Sequence, residues 1–119
     1  MSRFVIRRVS SGVKFDLYAA NGQSVASSEV YDSPAACRKG IESVRKNAGA
    51  KIEVLGEGQT LSNPKYEVYQ DRAGDYRFRL RSRNGKIIAV SESYAAKAGC
   101  LDGIESVKRN APTAEVAEK

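Results

Sequence analysis

The sequence predicts an α+β fold: two tandem β-β-β-α-β repeats that build one antiparallel sheet with two helices on one face. Three observations predict it. The chain repeats itself, each copy opens with period-two alternation, and each copy then switches to helical spacing. Phe15-Asp16-Leu17 aligns with Phe78-Arg79-Leu80, and Asn21-Gly22 with Asn84-Gly85. Ser28-Glu29 and Tyr31 align with Ser91-Glu92 and Tyr94, and Gly40-Ile41-Glu42-Ser43-Val44 recurs as Gly103-Ile104-Glu105-Ser106-Val107. Between Lys14 and Ala48 roughly half of the aligned positions are identical at constant offset, well beyond chance.

The elements follow in the same order in each copy. An alternating segment comes first, Phe4 to Arg8 or Tyr66 to Gln70, and a turn follows. Next come Lys14 to Ala19 and Tyr76 to Arg81, where Phe15 and Leu17, and Tyr76, Phe78 and Leu80, share one side. Such alternation marks a strand with one buried face. Asn-Gly then tolerates the positive φ of a tight hairpin turn, and a third strand covers Ser24 to Ser28 or Lys86 to Ser91.

A helix follows each third strand. Ser33-Pro34 supplies a capping oxygen and a first-turn proline, whereas the second copy offers Ala96-Lys97 and only Ser93 as a distant cap. Cys37, Ile41, Val44 and Ala48 form one apolar stripe, repeated by Cys100, Ile104, Val107 and Ala111. Lys51 to Leu55 and Ala114 to Ala117 close the copies as short strands. The single domain, 1–119, thus divides into repeat 1 (3–55), a polar linker (56–64) and repeat 2 (65–118). One unit alone buries too little surface for comfortable stability, so the two are expected to share a core.

The paired Asn-Gly hairpins, Ser-Glu-x-Tyr segments and Gly-Ile-Glu-Ser-Val helices resemble the YegP-like family of small microbial proteins. The resemblance covers Phe4 to Val116. It implies tandem β3-α-β motifs in one sheet, with the C-terminal strands swapped between halves. A two-motif chain would then be a monomer acting as a built-in pseudo-dimer. Ala36 stands where the second copy has Gly99. The family implies no activity, substrate or cofactor.

Chemistry-bearing residues are few. The chain has no histidine, which removes the usual neutral-pH base and the commonest metal ligand. Cys37 and Cys100 stand alone on separate stripes and read as small buried hydrophobes. Gly56-x-Gly58 lacks the rest of a phosphate loop. No catalytic, metal or cofactor-binding residue is therefore expected, and the protein is read as a non-enzyme. Glu29 and Glu92, Tyr31 and Tyr94, and Glu42 and Glu105 recur in both copies; they could line two equivalent pockets, but the expected reading is shared architecture, with the glutamates near helix starts and the tyrosines packed at the sheet.

The net charge of +6 bears on partners rather than fold. Arg77, Arg79 and Arg81 alternate with apolar residues and should line the open sheet face, with Arg83 close behind. Tyr69, Lys14 and Tyr18 should join them. Arginines among aromatics suit phosphates and bases; equally, outward charges keep a sheet from pairing, and Glu67 can neutralise them. The expected function is a binding or structural module using that face for a protein or nucleic-acid ligand. The alternative is weak charge-driven nucleic-acid binding through Arg77, Arg79 and Arg81. No apolar run is long enough to span a bilayer and the N-terminus lacks a signal-peptide core, so a cytoplasmic location with reduced cysteines is expected.

Overall fold

The computed structural model describes residues 1–118. Repeat 1 forms β1 (Arg3–Val9), β2 (Gly12–Tyr18), β3 (Ser24–Ser27), α1 (Pro34–Asn47) and β4 (Lys51–Val54). Repeat 2 forms β5 (Lys65–Gln70), β6 (Tyr76–Arg81), β7 (Ile87–Val90), α2 (Lys97–Asn110) and β8 (Glu115–Glu118). The predicted β-β-β-α-β order therefore holds twice.

All eight strands join one sheet, ordered β4-β5-β6-β7-β3-β2-β1-β8. The hairpins pair antiparallel as expected, but the sheet is not wholly antiparallel. At its two edges β4 lies parallel to β5 and β8 lies parallel to β1. The physical reason lies in the connections. Lys51 pairs with Lys65, so residues 55–64 must walk back the length of β4 before β5 begins. That return path makes parallel pairing possible, and a tight hairpin could not supply it. Each closing strand thus rests on the first strand of the other repeat.

The centre of the sheet is thin by comparison, since β3 and β7 share the single pair Ser27 and Val90. The halves are held instead by the edge strands that pair across the repeats and by the helices. Helix α1 packs on β1 and β2 and also on β6 and β7 of the other repeat; α2 packs on β6 and β3. Both stripes are buried under the helices together with Phe4, Phe15, Phe78 and Tyr66. The Tyr66 hydroxyl donates to the Ala48 carbonyl at 2.7 Å, tying the end of α1 to repeat 2.

Capping follows the sequence asymmetry. Ser33 Oγ accepts from the Ala36 N–H at 3.1 Å, whereas Ala96 caps α2 with no side-chain bond. Both helices end alike: Asn47 and Asn110 each donate to the carbonyl four residues back, Ser43 and Ser106, at 2.8 Å.

Candidate functional site

Strand alternation places Tyr69, Arg77, Arg79 and Arg81 on the sheet face away from the helices, because their neighbours Val68, Phe78 and Leu80 are fully buried. Lys14 and Tyr18 share that face on β2, opposite Arg7 and Arg3. The six residues do not form one patch. Strands β7 and β3 separate β6 from β2, a gap of roughly 14 Å at ordinary strand spacing. Arg83 leaves the face altogether, at the turn beyond β6.

The arginines are already occupied. Arg79 and Arg81 each donate from Nε to Glu67 Oε1, at 2.6 and 2.7 Å. Arg77 donates to Asp71 at 2.8 Å, and Arg79 also lies 4.6 Å from the Tyr69 ring centroid. On the other half Arg7 pairs with Asp16 at 2.6 Å. The cross-strand neutralisation offered by Glu67 is therefore what the structure contains.

Glu67 belongs to a buried ionic network specific to one half. Lys65 Nζ reaches Glu53 at 2.7 Å and Glu67 at 3.4 Å. The Leu61 N–H donates to Glu53 at 2.7 Å, and the Leu61 carbonyl accepts from Lys65 at 2.9 Å. The 56–64 segment, expected to be only a linker, is thus bonded to the network through Leu61. Burial pushes the Glu67 carboxyl upward, but its bonds to Arg79 and Arg81 outweigh this and hold it at about 2. The hydrogen bond from Lys65 lowers Glu53 in the same direction, assisted by Leu61.

The repeated motif residues build frame. Ser28 and Ser91 accept from the Phe15 and Phe78 N–H groups, at 2.9 and 2.8 Å, and donate to the carbonyls of Glu29 and Glu92 at 2.7 Å. Tyr31 and Tyr94 extend the sheet by bridging to Val13 and Tyr76. Their hydroxyls stand over Gly40 and Gly103, where no side chain fits. Glu29 and Glu92, expected near the helix dipole, are exposed, and their carboxylates meet no cation or hydrogen-bond donor among the described residues.

A methyl at Gly40 would overlap the Tyr31 hydroxyl and lie 2.6 Å from Tyr31 Cζ. Gly40→Ala is therefore expected to destabilise by about 1–3 kcal/mol, although alanine alone gains about 1 kcal/mol in a helix. In a Tyr31→Leu background the same change should become neutral or stabilising, as urea titration of the four variants would reveal. A cost unchanged by Tyr31→Leu would refute the overlap.

What alternation could not display is a pair of grooves on the helical side. One runs between α2 and the Ala19–Val25 hairpin turn, about 480 Å³, over Tyr94, Gly103 and Ser106. Its counterpart runs between α1 and the turn after β6, about 280 Å³, over Tyr31, Gly40 and Ser43. A further hollow of about 770 Å³ continues it, sharing Ser43, Ser82 and Asn84. Each groove brings one repeat's helix to the other repeat's hairpin. The available signal was the recurrence of Gly-x-x-Ser on a helix with Asn-Gly in a turn; their meeting across repeats needed the fold.

Neither cysteine is poised for chemistry. Both are buried and free, and burial pushes the Cys100 thiol up to about 11. Among the described residues no three acidic or cysteine side chains gather as a metal site. No helix there is long and apolar enough to cross a membrane.

These features define a class: one chain of two β-β-β-α-β motifs in a single eight-stranded sheet, each motif's closing strand pairing with the other motif's first strand. The chain belongs to the family described as a domain of unknown function, DUF1508, whose model matches residues 10–53 and 71–118. The YegP-like resemblance is borne out. A UPF0339 protein of Pseudomonas aeruginosa is 31% identical over 99% of this chain and 97% of its own length. The solution structure of yegP from E. coli, a protein of unknown function, is 30% identical with TM-score 0.82, covering 99% of this chain and 92% of that one. A UPF0339 protein of Treponema denticola is 57% identical over 54 residues, which cover 45% of this chain but 93% of that protein. That relative has the length of one motif.

Proposed function

We propose that this protein is a non-enzymatic binding module, a monomer holding small or extended ligands non-covalently in the grooves between each helix and the opposite hairpin. The observation that carries the reading is the duplicated frame. Tyr31, Gly40 and Ser43 line one groove, and Tyr94, Gly103 and Ser106 line the other. Groove volumes of this size suit ligand sites. Four acids, Glu67, Glu53, Asp71 and Asp16, are ion-paired and the thiols are buried, which takes those groups out of catalysis. A module of this kind needs no cofactor. Buried free cysteines also suit a reducing cytoplasm.

The open sheet face is the rival surface, for a protein or nucleic-acid partner, and the Arg79–Tyr69 stack is the feature in its favour. Its arginines would have to exchange carboxylates for the ligand, which weakens the nucleic-acid alternative through Arg77, Arg79 and Arg81.

Amide shifts of labelled protein against a library of phosphorylated and neutral metabolites test the reading, with mass spectrometry of each compound afterwards. Shifts at Tyr31, Gly40 and Ser43 or at Tyr94, Gly103 and Ser106, with compounds recovered unchanged, are expected. Chemical conversion would defeat the non-enzymatic reading. Shifts confined to Tyr69, Arg77, Arg79 and Arg81 would move the surface to the sheet.

A further inference from the structure

The two grooves share a frame but not a charge, and the difference lies in four pairs of equivalent positions. Where the α1 groove and its continuation have Lys39, Lys46, Arg83 and Lys86, the α2 groove has Asp102, Arg109, Ala20 and Gln23. The first set is four cations with no carboxylate lining the same space. The second is one acid and one base. All four cations of the α1 groove are exposed, and none has an ion-pair partner among the described residues. That distinguishes them from the sheet-face arginines, which are held by Glu67 and Asp71.

We infer that the α1 groove, from Tyr31 to the Asn84 turn, is a binding site for a ligand carrying several phosphates. The inference rests on the groove reading above and adds its substrate chemistry. Four unpaired like charges around one hollow repel each other when it is empty, and a multiply charged anion relieves that repulsion. Lys86 already leans inward, its Nζ 5.7 Å from the Tyr31 ring centroid. Ser43, Ser82 and Asn84 line both parts of the hollow and add neutral hydrogen-bonding groups between the cations. Flexible lysines act as point charges that can follow a chain of phosphates. At about 770 Å³ the continuation alone can hold more than one phosphate group. A nucleic-acid backbone and a free oligophosphate share this chemistry.

The test uses the full chain and two variants of equal charge. In one, Lys39→Gln, Arg83→Gln and Lys86→Gln empty the groove of three cations. In the control, Arg8→Gln, Lys51→Gln and Arg72→Gln remove three exposed cations outside both grooves. Binding of sodium tripolyphosphate and of single-stranded RNA and DNA 12-mers is measured by amide shifts and anisotropy across a salt series. The groove variant should lose at least about tenfold in affinity, and its salt slope against 12-mers should fall by about 2. The control should stay within about twofold of the parent. Binding of 12-mers without tripolyphosphate assigns nucleic acid; binding of tripolyphosphate assigns a free oligophosphate. Equal losses in both variants, or no binding by any probe, overturn the inference. A neutral metabolite shifting Tyr31, Gly40 and Ser43 in that last case would leave the groove reading standing; no shift in either groove would end both.

Discussion

Replacing Glu67 with glutamine is expected to cost about 2–4 kcal/mol of folding stability at pH 7. Glu67 is 6% exposed and is the one acid that Arg79, Arg81 and Lys65 all approach. Its amide would keep an acceptor but leave Arg79 and Arg81 without a carboxylate and Lys65 with Glu53 alone. The same group predicts a pH dependence. Its folded pKa, about 2, lies below the ordinary value of 4.5. A depressed carboxylate pKa stabilises the fold above the unfolded value, and the contribution is lost as pH falls through 4.5 toward 2. Glu53 and Asp71, also depressed, act in the same direction. Urea titrations at pH 7 and pH 3 should therefore show the parent losing more stability on acidification than Glu67→Gln, so that the two curves converge. Parallel losses would show that the network contributes nothing measurable.

Separating the repeats should have a larger effect still: neither half is expected to persist as a folded monomer. Produced as residues 1–58, repeat 1 keeps β4 but loses β5, the strand it pairs with. Produced as 59–119, repeat 2 keeps β8 but loses β1. Each half also exposes core that the other repeat's helix covers. Self-association can restore both pairings. Each half alone should accordingly sediment as two copies, with a melting temperature that rises with concentration. Mixed halves should favour the 1:1 heteropair. Only that pairing puts Glu53 beside Lys65, since in a repeat 2 homodimer Ala117 would occupy the Glu53 position opposite Glu67. A monomeric half that unfolds cooperatively at a concentration-independent temperature would overturn the shared-core account.

Element types were readable because they depend on local rules. Alternation at Phe15 and Leu17, Asn-Gly at the hairpins, and the Cys37–Ile41–Val44–Ala48 stripe each declare their period within a few residues. The Ser33 cap and its absence at Ala96 were equally local. The outward arginines were readable for the same reason, since alternation sets which way Arg77, Arg79 and Arg81 point. Their partners were less so. Glu67 lies across a hairpin and could be guessed, but Lys65, Glu53 and the Leu61 backbone converge only because β4 lies parallel beside β5.

By itself the sequence determined the α+β class, the duplication, the strand faces and the composition of the core, because periodicity and turn chemistry act over short stretches. The tertiary structure decided the parallel edge pairs, the neutralised sheet face and the two grooves. Those depend on contacts between repeats, where residues far apart in the chain meet at distances no local pattern encodes. Lys39 and Lys86 illustrate the division: each is an unremarkable surface lysine in its own segment, and they become one basic groove only when α1 crosses to the other repeat's hairpin.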